Sequence, residues 1–157
     1  MTETPQQAAT RLSATAQAKG FKPAGLHAYV TANGTPIYWP IRLKHPATKD
    51  KWIRPMHLNG ARYVLAEPKR PPEGKPLYAL DRIAAYPDAV VWIVEGEQKA
   101  DALNTLGLIA TTSGSSTSAN GTDWLPLKGR TCVIWPDNDT AGQKYADDVA
   151  RILNELR

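Results

Sequence analysis

Two rhythms of apolar and polar positions divide this chain. From Leu26 to Leu65 apolar residues alternate with polar ones in short runs, "LHAYVTANGTPIYWPIRL" and "KDKWIRPMHLNGARYVLA". Each run is broken at an Asn-Gly pair, Asn33-Gly34 and Asn59-Gly60, the strongest short-range signal for a β-hairpin. This region is predicted to be a small, twisted antiparallel sheet. From Ala89 onward the rhythm becomes strand, helix, strand. "AVVWIV" is a continuous apolar run, as expected of a parallel strand covered on both faces. "EQKADALNTLG" follows as a helix with a glycine stop, then "LIATT" as a second strand and "TCVIWP" as a third. After Asp139, residues Tyr145, Val149, Ile152, Leu153 and Leu156 share one helical face. A β-α-β-…-β-α order is that of an open, mainly parallel sheet flanked by helices. The expected class is α/β, with a smaller β-rich part in front.

Outside these regions, residues 4–19 are rich in Ala and Gln and end at Gly20, which predicts a short helix. Residues 67–77 are a Pro/Gly-rich connection, and "LYALDRIAAY" after it reads as another helix. The expected division is therefore a helix or tail over 1–20, a β-rich subdomain over 21–88 and an α/β domain over 89–157.

Composition narrows the classes. With 157 residues, 42% hydrophobic and 22% charged, the chain has a globular rather than a disordered composition. No apolar run approaches the roughly 20 residues of a membrane helix, and the N-terminus lacks the order of a secretory signal, so no membrane partner and a cytoplasmic location are expected. Cys132 is alone, which excludes an internal disulfide and a thiol-rich zinc site; His27, His45 and His57 form no close ligand pair.

Charge is uneven. Residues 1–88 carry 13 Lys/Arg against 6 Asp/Glu, whereas residues 89–157 carry 6 against 9. A basic half points to a polyanion partner and an acidic half to cations. Within the basic half, Arg42, Lys44, Lys49, Lys51 and Arg54 lie among 13 positions with Trp39 and Trp52 interleaved or adjacent. Cations with aromatics suit single-stranded nucleic acid, charges on phosphates and rings under bases; tryptophans on alternating strands equally suit a core, and at least one is expected there.

The chemistry concentrates at strand ends. Glu95 ends the first parallel strand, and Asp137 and Asp139 end the third. If the first strand lies between the other two, the strand order reverses beside it, and ligands of such sheets bind beyond the carboxyl ends at that point. Three carboxylates converging there repel one another unless a cation neutralises them. Hard oxygen donors suit Mg²⁺ or Mn²⁺. The alternative is a polar loop in which Asp139 or Thr140 caps the last helix and Glu95 starts another. Gly96 suits a tight turn or a close ligand. Gly142, in the first turn of the last helix, is costly unless something packs against it.

"VEGEQKADAL" followed by "VIWPDNDTAG" resembles the Toprim domain of bacterial-type primases, type IA and II topoisomerases and several nucleases. The match rests on Glu95-Gly96 and on Asp137-x-Asp139-x-x-Gly142, and covers residues 89 to about 155. "IYWPIRLKHPATKDKWIRP" and "KPLYALDRI" look like the subdomain preceding Toprim in phage and mobile-element primases, a looser likeness. The resemblance implies a Toprim-like sheet and metal-dependent nucleotidyl transfer, with RNA primers made on single-stranded DNA from nucleoside triphosphates. Asp137 and Asp139 would hold Mg²⁺, and Glu95 would hold a second ion or act as general base. Lys99 reaches a phosphate or is a solvated helix lysine. Arg42, Lys44, Lys51 and Arg54 are candidate contacts to template or nucleotide. A helicase domain or subunit is an expected partner, and the 157 residues are either a fragment of a longer primase-helicase or a minimal version. A Toprim nuclease using the same acids, or a non-catalytic nucleic-acid-binding module, are the alternatives.

Overall fold

A computed structural model describes residues 2–157, which fall into two compact units. One comprises the chain up to Ala28 together with residues 36–69, the other residues 29–35 and 70–157. Residues 70–88, grouped by composition with the basic half, thus belong to the second unit.

The first unit opens with two short helices where one was expected, α1 (Pro5–Leu12) and α2 (Ala14–Ala18). Thr4 caps α1 in a capping box with Gln7, and Pro5 sits in the first turn, where its missing N–H costs nothing. The break falls at Ser13, whose hydroxyl donates to the Ala9 carbonyl at 2.7 Å and competes with the helical ladder. An antiparallel sheet follows in the order β1-β3-β4-β5: β1 (Lys22–Leu26), β3 (Pro36–Lys44), β4 (Lys51–Asn59) and β5 (Arg62–Val64); the two-residue β2 (Tyr29–Val30) belongs to the second unit. Gly60, at φ +63°, turns β4 into β5, as the Asn59-Gly60 pair predicts. The helices bury Ala8, Ala9 and Ala16 against Trp39, Ile41, Leu43, Met56 and Tyr63. Trp39, Ile41 and Leu43 recur at every second position of β3, so alternation alone puts them on one face, and Met56 joins them because it pairs with Trp39 from β4.

In the second unit the Asn33-Gly34 segment forms the turn that its sequence predicts. Thr31 N–H donates to the Thr35 carbonyl at 2.8 Å, and only two strand residues precede it. Then come α3 (Leu80–Ala85), β6 (Val91–Val94), α4 (Glu97–Thr105), β7 (Ile109–Thr111), β8 (Cys132–Trp135) and α5 (Thr140–Glu155). The strands form a parallel sheet in the order β7-β6-β8. The first strand therefore lies in the middle, as the expected reversal of order requires. Val91 and Ile93 on one face join Ile109, Tyr145 and Val149 in the core under α5. Trp92 and Val94 look to the other face, where α4 packs on β6 and β7. The class is α/β with one antiparallel and one small parallel sheet. Among the described residues no helix is long and apolar enough to cross a membrane.

Candidate functional site

The site begins where β6 stops. Glu95 follows Val94 directly, and Gly96 turns the chain into α4 with φ +84° and ψ 152°, a region open essentially to glycine alone. A Cβ on Gly96 would meet nothing, so backbone conformation and not space demands glycine here. The turn is pinned by the Gly96 N–H, which donates to the Thr112 hydroxyl at 3.0 Å.

One strand away, β8 ends at Trp135 and the chain passes through Pro136 into a tight turn. Asp139 N–H donates to the Asp137 carbonyl at 2.9 Å, and the Asp139 carboxylate accepts from Gly142 N–H at 2.6 Å as the cap of α5. At Gly142 the reason for glycine is space. A Cβ there would overlap the Asp137 carbonyl oxygen and lie 2.9 Å from both the carbonyl carbon and the nitrogen of that residue. The turn carrying Asp137 thus rests directly on the first turn of α5.

The two strand ends are tied together, because Glu95 Oε1 accepts the Asp137 backbone N–H at 3.1 Å. Register explains this: Val94 pairs with Trp135, so Glu95 and Asp137 both emerge at the carboxyl edge of adjacent parallel strands. The Asp137 carboxylate is ion-paired with the Lys99 ammonium from α4. Asp139 serves as the cap of α5, as the polar-loop reading expects, while standing in the acidic turn.

Hydrogen bonds thus engage one oxygen each of Glu95, Asp137 and Asp139, leaving the other oxygen for a further ligand. Carboxylate oxygens are the hard donor type that Mg²⁺ or Mn²⁺ takes. Among the described residues no three His, Cys, Asp or Glu side chains stand close enough together to hold an ion. Lys99 supplies the positive charge at Asp137 in this arrangement. Removing that competitor with Lys99→Met is expected to tighten Mn²⁺ binding several-fold in a calorimetric titration. Unchanged or weaker Mn²⁺ binding in the variant would show that Lys99 does not compete for Asp137.

Beneath the strand ends lies a polar layer that the sequence did not reveal. Glu97, the first residue of α4, is only 5% exposed, and its Oε1 accepts a hydrogen bond from the buried Tyr29 hydroxyl at 2.9 Å. Ser113, leaving β7, shares a 2.9 Å hydrogen bond with the Tyr145 hydroxyl and accepts another from Ser118 at 2.8 Å. Burial pushes the Tyr145 phenol above its ordinary pKa, and burial followed by the neighbouring Asp101 carboxylate does so for Tyr78. The Ser/Gly loop over 113–118 is laced by its own bonds, Gly114 N–H to Thr112 and Ser115 N–H to Ser118, both at 3.0 Å. Those two N–H groups are consequently not offered to a phosphate. A glutamate three residues after the end of a strand looks like a helix-start acid, and nothing local marks it as buried.

In the other unit the basic residues separate. Lys44 pairs with Lys51 and Arg42 with Ile53 across β3 and β4, which puts Arg42, Lys44 and Lys51 on one face of the sheet. Arg54 pairs with Ile41 on the opposite face, where its guanidinium lies 5.6 Å from the Trp52 ring. Trp39 is buried in the core, and Trp52 packs against it while partly exposed. The histidines are apart: His45 Nδ1 accepts the Ala47 and Thr48 N–H groups at 3.2 Å, and His57 Nδ1 bonds the Ala66 carbonyl at 2.8 Å. No protein-family model, curated protein or solved structure matches this chain.

Proposed function

We propose that this chain is the catalytic core, or part of it, of a Toprim-type DNA primase from a phage or mobile element. It would make RNA primers on single-stranded DNA by divalent-metal-dependent nucleotidyl transfer. The observation that carries this reading is the tie between Glu95 and Asp137 at the carboxyl edge of adjacent parallel strands. It is supported by Gly142, whose lack of a side chain lets the acidic turn sit on α5. A plain polar loop needs neither feature.

In this reading Asp137 and Asp139 would hold Mg²⁺. The ion, when bound, would offset negative charge on the triphosphate oxygens, including those of the phosphoryl group undergoing transfer. Glu95, fixed by the Asp137 N–H, keeps an oxygen to hold a second ion or to accept the proton of the attacking hydroxyl. Lys99, once exchanged from Asp137, is placed on α4 to meet a phosphate oxygen. In the basic unit, Arg42, Lys44 and Lys51 present one cationic face to template phosphates. Lys44 directly opposite Lys51 is a repulsive cross-strand pair that a phosphate would relieve. A helicase domain or subunit is the partner that this activity would serve.

The deciding experiment incubates the protein with single-stranded DNA, labelled nucleoside triphosphates and Mg²⁺, and follows both extension and cleavage. New RNA–DNA product supports the primase. Cleavage without extension replaces it with a Toprim nuclease, and neither product removes catalysis from the proposal. Template binding has its own check. Affinity for single strands is expected to fall with salt at a log–log slope of about −0.7 per phosphate contacted. Lys44→Ala and Lys51→Ala are each expected to flatten the slope by about that amount; a slope near zero in the unaltered protein would remove the basic face from template binding.

A further inference from the structure

Trp135 is the last residue of β8 and is 56% exposed, an unusual place for a large indole. It shares a sheet face with Trp92, Val94 and Val133, because Trp92 pairs with Val133 and Val94 with Trp135. Helix α4 covers Val94, which is buried, while Trp135 stands out beside it. The result is a groove of about 420 Å³, lined on its apolar side by Val94, Leu103, Trp135 and Pro136. Lys99 and Asp137, the ion pair of the carboxylate site, also line it. Trp92 lies against Trp135, with ring centroids 5.8 Å apart and planes at 54°, which restricts the indole to a narrow range of positions.

We propose that this groove is the seat of a nucleotide's base, with Trp135 as the stacking surface and the phosphates directed to Lys99 and the carboxylates. The inference rests on the function proposed above and names how its nucleotide is held. Three features select this occupant. The groove has the size of small-ligand sites, which run from about 300 to 1,000 Å³. Its apolar wall includes an exposed aromatic ring, and stacking on such a ring takes any base, because every base has a π-face. Its charged end carries a lysine beside a carboxylate, complementary to a polyphosphate accompanied by a divalent cation. A peptide strand or a second copy of the chain has no need of that charged end.

The test measures equilibrium binding of a nucleoside triphosphate and of inorganic tripolyphosphate, each with Mg²⁺, to the full chain and to Trp135→Ala, Trp135→Phe and Asp137→Ala. Because Trp135 is exposed, its replacement leaves the fold in place, which circular dichroism verifies. Trp135→Ala is expected to weaken nucleotide binding about tenfold or more while leaving tripolyphosphate affinity unchanged. Trp135→Phe is expected to recover most of the loss. Equal nucleotide affinity in Trp135→Ala and the unaltered protein overturns the stacking surface. If Asp137→Ala still loses both ligands in that case, the proposed function survives without it. Failure of the unaltered protein to bind either ligand overturns both. A dimer that Trp135→Ala converts to monomer, with nucleotide affinity unchanged, reassigns the groove to self-association and also overturns the proposal.

Discussion

Asp137→Ala is expected to abolish Mg²⁺-dependent primer synthesis, a loss of at least about 10²–10³-fold, the scale on which removing one preorganised electrostatic group acts. The fold should survive. The Asp137 side chain is 38% exposed, and its ion pair with Lys99 is of the solvent-screened kind, worth about 0–1 kcal/mol. The bond to Glu95 uses the Asp137 backbone N–H and remains in the variant. Primer synthesis measured beside a thermal melt therefore separates the two effects. Full activity in a folded Asp137→Ala protein would exclude this residue from the mechanism. Glu95→Gln sharpens the comparison: the amide oxygen can still accept the Asp137 N–H, but the negative charge and the proton-accepting capacity are gone. Activity lost with an unshifted melt would assign Glu95 to chemistry, whereas a lowered melt would assign it to holding the strand ends together.

Gly142→Ala carries the second large effect, and its sign opposes helix propensity. In an exposed helix, replacing glycine with alanine stabilises by about 0.8–1 kcal/mol. Here the added methyl would run into the Asp137 carbonyl, a backbone group held on one side by the Asp139 N–H and on the other by β8. Backbone cannot swing aside as a side chain does, so the cost falls at the upper end of overpacking, about 3 kcal/mol. For a chain of this size that lowers the melting midpoint by roughly 6–12 °C. Divalent-cation affinity should fall too, because the displaced turn carries Asp137 and Asp139. A neutral or stabilising Gly142→Ala would mean that the turn does not rest on α5. Gly96→Ala is a useful contrast, since its penalty would come from a positive φ with no clash to relieve.

The sequence alone determined the parts that depend on near neighbours. Apolar runs bounded by turn residues located β6, β7 and β8, and the last helical face located α5. The Asn59-Gly60 pair located the β4–β5 turn. The cost of glycine in a first helical turn already implied a close neighbour at Gly142. Each of these is legible because strand alternation, helix period, capping and turn chemistry act over a handful of residues. What only the tertiary structure decided involves groups far apart in the chain. Lys99 meets Asp137 across 38 positions, and Tyr29 buries its hydroxyl on Glu97 across 68. Arg54 reads as one of a basic cluster until the β3–β4 register places it on the opposite face from Lys51. Trp135 reads as a core strand residue until α4 is seen to cover β6 and β7. Local chemistry specifies which elements form, but register and the choice of covering helix come from burying surface between elements, and that determines which charges pair, which carboxylate is enclosed and which ring faces water.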